Sequence, residues 1–183
     1  ILWHILKIYS SFGINEFIIC CGYKGYVIKE YFANYFLHTS DVTFHLDQQS
    51  DMEVHAQHGE PWKLTLVDTG ETSQTAGRLS RVKDYIGKEK FAFTYGDGLA
   101  DINISKLISH HNTMNKKVTL TAVRPPGRYG ALKLDGYSVT DFQEKPDGDK
   151  AWINGGFFIV DPSVIELINS DNDSWEEDIL PKL

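Results

Sequence analysis

The sequence predicts an α/β domain: a mostly parallel sheet with helices on both faces. Two observations carry that prediction. Short runs that are apolar throughout, such as FIICC, read as strands buried on both sides, as in a parallel sheet. Segments with helical periodicity alternate with these runs, which is the pattern of strand–helix–strand units.

The elements follow in order. Ile1, Leu2, Ile5, Leu6, Tyr9 and Phe12 recur at helical spacing, and Gly13 is a suitable stop. NEFIICCG is a short buried strand. GYVIKEYFANYFLH, residues 25–38, returns to helical periodicity. DVTFHL (41–46) and WKLTLVDTG (62–70) read as strands on either side of a polar stretch around 47–60. TAGRLSRVKDYIG places Leu79, Val82 and Ile86 on one helix face. FAFTYGDG is a strand, ISKLISHHN a helix and KVTLTAV a strand. ALKLDGYSVTDFQEKP then changes character to a hairpin, with Asp135-Gly136 at its turn. NGGFFIVDP is one more buried strand, and Pro162 opens a helix over PSVIELINS. Without repeats, low-complexity segments or a convincing linker, residues 1–183 read as one domain.

Composition narrows the function. The chain has 183 residues, 42% hydrophobic and 23% charged, with a formal net charge of -7. Such a chain buries about 70% of its unfolded surface in one core. The acidic balance disfavours nucleic acid and anionic membranes as partners, because both select a basic footprint. Cys20 and Cys21 are adjacent and point to opposite faces of a strand, so they read as packing thiols in a reducing compartment. No apolar run approaches the ~20 residues of a membrane span, and no signal peptide is evident.

Five constellations could carry chemistry. In FAFTYGDGLAD, Asp97 stands between Gly96 and Gly98 just after a buried strand, where an open parallel sheet binds ligands. A carboxylate there suits Mg²⁺, which takes one or two carboxylates and completes its shell with water and phosphate oxygens. Capping of the next helix is the competing role for Asp97, and Asp101 suits capping better than metal. In FQEKPDGD, Pro146 keeps Lys145 extended, leaving Glu144 and Lys145 at a strand end. An ammonium suits a phosphate, and a carboxylate suits sugar hydroxyls. In WINGGFF, Asn154 precedes Gly155 and Gly156, which suits either a polar ligand or a β-bulge. RPPGRYGAL is a rigid loop with Arg124, Arg128 and Gly130. DTGETSQTAGRLSRV sets a small-residue loop before a helix whose free N–H groups could meet an acceptor. HAQH (55–58) and His110-His111 read as solvated surface, since a zinc site needs three or four ligands.

In this order, DTG…TAGRL, YGDG, RPPGRYGAL, FQEKP and NGGFF resemble the sugar-phosphate nucleotidyltransferases over the whole chain. GYKGYVIKEYFANYFLHTSDVTFH, PPGRYGAL and Trp175-Glu176 resemble the cytidylyl branch, which makes CDP-glucose and pyrophosphate from CTP and glucose 1-phosphate. The resemblance implies the Rossmann-like nucleotide-diphospho-sugar transferase fold. It implies Mg²⁺ on Asp97, the sugar phosphate on Lys145, and sugar hydroxyls on Glu144. Asn154, Gly155 and the Gly130 backbone would line the sugar pocket with Arg128 nearby, and Gly77 and Arg78 would lie against the base. It also implies a cytoplasmic, homo-oligomeric enzyme of nucleotide-sugar supply for O-antigen and lipopolysaccharide.

Members of the family begin with a G-G-x-G-T-R phosphate loop, and nothing like it precedes Ile1. Their second metal-binding Asp falls after Leu183. The expectation is a domain truncated at both ends, with little turnover as an isolated chain. Two rival readings remain: a metal-dependent glycosyltransferase that consumes a nucleotide sugar, and a catalytically dead homologue serving as a binding or assembly module. Against the first, Asp97 and Asp101 do not have D-x-D spacing, and FQEKP has no evident role there.

Overall fold

The structure is a computed structural model that describes residues 1–47, 51–55, 59–125, 131–143 and 152–183. These residues form two compact units, Trp3–Glu89 with Pro162–Leu183, and Lys90–Asp161 with Ile1–Leu2.

In the larger unit, helix α1 (Leu2–Ser10) buries Ile5, Leu6 and Tyr9, the face its periodicity marks. Gly13, at φ +83, closes it by donating its N–H to Ser10 O. Strand β1 (Glu16–Cys21) pairs in parallel with β4 (Lys63–Asp68), from Glu16↔Lys63 to Cys21↔Asp68. The helix expected over 25–38 is two, α2 (Gly25–Ala33) and α3 (Tyr35–Thr39). Asn34 separates them at φ −102, ψ 17, with its side-chain amide donating to Glu30 O. Strand β2 (Val42–His45) pairs antiparallel with β3 (Asp51–Val54). The polar stretch therefore holds a strand that its composition hid, because neither face of this hairpin enters the core. TAGRLSRVKDYIG likewise divides at Val82 into α4 (Thr75–Arg81) and α5 (Lys83–Ile86).

The last segment packs beside α4. The helix opened by Pro162 is a 3₁₀ helix, Pro162–Leu167. Trp175 and Ile179 are fully buried beyond it. Their segment is tied to α4 by Trp175 N–H on Thr75 Oγ1 (2.8 Å) and by Thr75 Oγ1 donating to Glu176 (3.0 Å).

In the smaller unit, β9 (Ile153–Val160) lies between β5 (Phe91–Thr94) and β6 (Val118–Val123), antiparallel to both. Strands β5 and β6 thus run the same way, connected through helix α6 (Ile104–Met114), with β9 inserted against their direction. Parallel pairing among the described residues is confined to β1–β4. Phe157, Phe158, Ile159 and Val160 are all buried, as the unbroken apolar run requires of a central strand. Strands β7 (Ala131–Asp135) and β8 (Ser138–Gln143) form the expected hairpin. Its two-residue loop is Gly136-Tyr137, one position later than expected, with Gly136 at φ +58 as the first loop residue.

Two expectations about α6 are corrected. Its cap is Asn103, which accepts from Lys106 N–H at 2.9 Å, rather than Asp101. Of the two histidines, His110 is exposed, but His111 is fully buried, its Nδ1 2.9 Å from Thr119 Oγ1. Burial first, and the Lys90 charge second, hold His111 below the usual histidine range, with Asp161 opposing. The unfolded chain therefore takes up a proton before the folded one, starting near pH ~6.5. Stability is complete above that pH and falls as pH drops through the window below it. Urea denaturation of wild type and His111→Gln should show this directly: the variant's midpoint falls less between pH 7 and pH 5.5.

Candidate functional site

In the larger unit the carboxyl ends of β1 and β4 carry a built arrangement. Thr69, directly after β4, extends the ladder through its N–H to Cys21 O (2.8 Å). Its hydroxyl donates to the same carbonyl at 3.0 Å and is fully buried. Arg78, from α4, donates Nη1 to Thr69 Oγ1 (2.9 Å) and Gly70 O (2.8 Å), and Nη2 to Glu71 O (3.2 Å). One guanidinium therefore pins the whole DTGE turn. It can do so only because Gly22 follows β1: a Cβ there would stand 2.3 Å from Nη1. The loop glycine of GYKG is thus required by the arginine of TAGRL, a long-range pairing that no local pattern announces.

The amino end of α4 departs from expectation. Its N–H groups are not open to a ligand: Gln74 N–H donates to Asp171 O (2.8 Å), and Ala76 and Gly77 N–H to Asp173 O (3.1 and 3.3 Å). Gly77 itself is buried with its open side on the Asp171 backbone, where a Cβ would lie 2.2 Å from the carbonyl oxygen. The structure gives Gly77 a packing role, while Arg78 remains at the strand ends. Arg81 forms a bidentate pair with the Asp171 carboxylate, with Nε at 2.8 Å, and this hydrogen bond holds the carboxyl below its usual range. The two thiols match their packing assignment. Burial pushes Cys20 up to about 11 against a smaller opposing effect of Arg78, and burial also raises Cys21, so neither is a thiolate at neutral pH.

In the smaller unit Asp97 lies beyond the end of β5, exposed in an open turn. A Cβ on Gly96 or Gly98 would meet nothing within 4 Å, so the turn leaves room on both sides of the carboxylate. Among the described residues no three His, Cys, Asp or Glu side chains gather as a metal cage. His55 of HAQH lies against Thr43 Oγ1 at 2.8 Å; His58 is outside the described residues.

WINGGFF proves to be a bulge that also presents a polar side chain. Between the pairs Leu120↔Phe158 and Ala122↔Asn154, Thr121 alone faces Gly155, Gly156 and Phe157. Asn154 shapes it, its Oδ1 accepting from Gly156 N–H at 2.8 Å. Gly156 sits at φ +77 with the Tyr95 ring on it, and a Cβ would be 2.8 Å from the ring. On Gly155 a Cβ would be 2.9 Å from Thr121 O. Asn154 Nδ2 donates to Tyr95 Oη at 3.0 Å, so Asn154, Gly155 and Tyr95 come together. Arg124 stacks over Trp152, 4.5 Å from the ring centroid. Arg128, Gly130, Glu144 and Lys145 lie outside the described residues.

Sequence reasoning missed Gly22, Thr69, Tyr95 and Trp152. Thr69 and Tyr95 stood inside motifs already singled out, DTG and YGDG, and both are hydroxyl-bearing residues at strand ends.

Comparison with known proteins follows that geometry. The family model described as nucleotidyl transferase matches residues 1–182. A glucose-1-phosphate cytidylyltransferase of Salmonella typhi is 60% identical over 100% of this chain and 71% of its own length. A probable glucose-1-phosphate cytidylyltransferase of Bacillus subtilis is 43% identical over 97% of this chain and 69% of its own. The crystal structure of HddC from Yersinia pseudotuberculosis superposes with a TM-score of 0.67 at 22% identity, covering all of this chain and 72% of that one. At that identity the likeness speaks to the fold alone.

The contact between α4 and residues 171–173 yields a stability prediction. Gly77→Ala forces the two backbones apart and should cost about 1–3 kcal/mol, read as a lower urea midpoint with an unchanged slope.

Proposed function

The chain belongs to the nucleotidyl transferase family, with the nucleotide-diphospho-sugar transferase fold, and from that premise we propose that it forms CDP-glucose and pyrophosphate from CTP and glucose 1-phosphate. The single observation that carries this reading is 60% identity, without loss of coverage on this chain, to a glucose-1-phosphate cytidylyltransferase.

The reaction needs no protein nucleophile. An oxygen of the sugar phosphate forms a bond to the α-phosphorus of CTP. The bond from that phosphorus to the oxygen bridging the β-phosphate breaks, and pyrophosphate leaves. The protein's work is alignment and charge neutralisation.

Asp97 fits a magnesium ion that draws most of its shell from water and phosphates: one exposed carboxylate with open space on both flanks. Bound there, the ion would neutralise charge on the triphosphate. Lys145 would hold the sugar phosphate, Glu144 and Asn154 the sugar hydroxyls, and Arg128 with the Gly130 and Gly155 backbones the rest of the sugar pocket. Arg78, fixed by Thr69, Gly70 and Glu71, would present its guanidinium to the nucleotide. We place the enzyme in the cytoplasm as a homo-oligomer whose product supplies O-antigen and lipopolysaccharide synthesis. Among the described residues no helix is long and apolar enough to cross a membrane.

The test, in the intact enzyme, is a panel of CTP, UTP, GTP and dTTP with glucose 1-phosphate and Mg²⁺, read by pyrophosphate release and product mass. CDP-glucose should dominate; preference for another base would overturn the cytidylyl assignment. Asp97→Asn should abolish magnesium-dependent synthesis with an unchanged circular-dichroism spectrum, and wild-type kinetics would remove Asp97 from the site. Lys145→Ala should lower kcat/KM about 10²–10³-fold, as loss of one charge-stabilising group does.

A further inference from the structure

We propose that Tyr95 is a positioning residue for the sugar-phosphate substrate: its phenol holds the Asn154 amide in place for the sugar, in the sense that the Gly156 N–H selects. The inference rests on the reading of Asn154 as a sugar contact and deepens it.

Asn154 is held at both ends of its amide. Nδ2 donates to Tyr95 Oη at 3.0 Å, while Oδ1 accepts from Gly156 N–H at 2.8 Å. Turning the amide over would set its NH₂ group against the Gly156 N–H, donor against donor. The Gly156 N–H therefore selects the orientation, and the phenol, able to accept or donate, takes the Nδ2 donor and holds the amide against rotation. An asparagine amide carries two N–H donors and two oxygen lone pairs. The two internal bonds use one of each, and a defined donor and a defined acceptor remain for ligand hydroxyls. Asn154 is exposed, on the section of β9 before the bulge. Without these ties its terminal torsion would be broad, as it is for any amide joined to an sp³ carbon.

Tyr95 is itself fixed by contacts that do not involve its hydroxyl. Its N–H donates to Gly156 O at 3.3 Å, and its ring meets Phe93 and Phe158 edge-on at 6.0 and 5.7 Å. The bare Gly156 backbone closes the remaining side of the ring. Packing therefore accounts for the ring, and the bond to Asn154 is a separate use of the phenol. A phenylalanine would fill the same space and lose that bond. Substitution at this one atom separates a positioning role from a structural one.

The experiment is a double-mutant cycle of Tyr95→Phe and Asn154→Ala in the intact enzyme, with KM measured separately for glucose 1-phosphate and CTP. Tyr95→Phe should raise the glucose 1-phosphate KM about tenfold, keep the CTP KM within about twofold, and leave the melting temperature in place. Asn154→Ala should raise the same KM at least as far, and adding Tyr95→Phe to it should change little, because the phenol then has no amide to orient. The proposal is overturned if Tyr95→Phe leaves the sugar-phosphate KM unchanged while Asn154→Ala raises it, or if the two effects multiply. If Asn154→Ala itself leaves that KM unchanged, the reading of Asn154 as a sugar contact fails, and the role of Tyr95 fails with it.

Discussion

The contact on which the larger unit depends most is between two stretches of backbone. The N–H groups at the start of α4 give their hydrogen bonds to the carbonyls of Asp171 and Asp173. The Asp171 carbonyl reaches the helix only because Gly77 presents no side chain. A helix start normally leaves such donors to a capping side chain or to water. Here the chain near its far end caps them, and the Arg81–Asp171 pair holds that segment from the side. The register of α4 is set by this contact, and Arg78 is one residue further along. Fixing the helix aims the guanidinium at Thr69, Gly70 and Glu71.

The smaller unit uses the same economy of means at its bulge. A polar side chain is spent on shaping backbone, a glycine accepts a left-handed conformation, and an aromatic ring occupies the space the missing side chain leaves. The first stands at strand ends, and the second interrupts the β6–β9 ladder beside the end of β5. Both are stiff. A reaction that relies on alignment of two phosphorylated substrates, rather than on a nucleophile or a perturbed acid, needs stiffness of this kind. Among the described residues the groups with displaced pKa values, Cys20, Cys21, Arg81, Lys83, His111, Asp171 and Asp173, are displaced by burial or by hydrogen bonds and ion pairs within the fold. They belong to its architecture.

Much of the fold was legible because its signals are local. The apolar face of α1, the strand FIICC, the GFFIV run and the hairpin around Gly136, though not the exact position of its turn, each announce themselves within a few residues. What failed were breaks and partners. Asn34 and Val82 interrupt helices whose periodicity continues straight through them. Strand β3 is only four residues, too short for its Met52–Val54 alternation to stand out in a polar stretch, and the buried His111 sits beside an exposed twin.

The sequence by itself determined the α/β class, the positions of most elements, and the ordered set of motifs in which Asp97, Arg78 and Asn154 stand. Residue type and short spacing are enough for those. Only the tertiary structure decided what each glycine is for and which polar side chains face one another. Gly22 yields to Arg78, Gly77 to Asp171 and Gly156 to Tyr95, across gaps of about fifty to ninety residues. It also decided the direction of β9, because strand pairing is a long-range hydrogen-bonding choice that side-chain pattern does not encode.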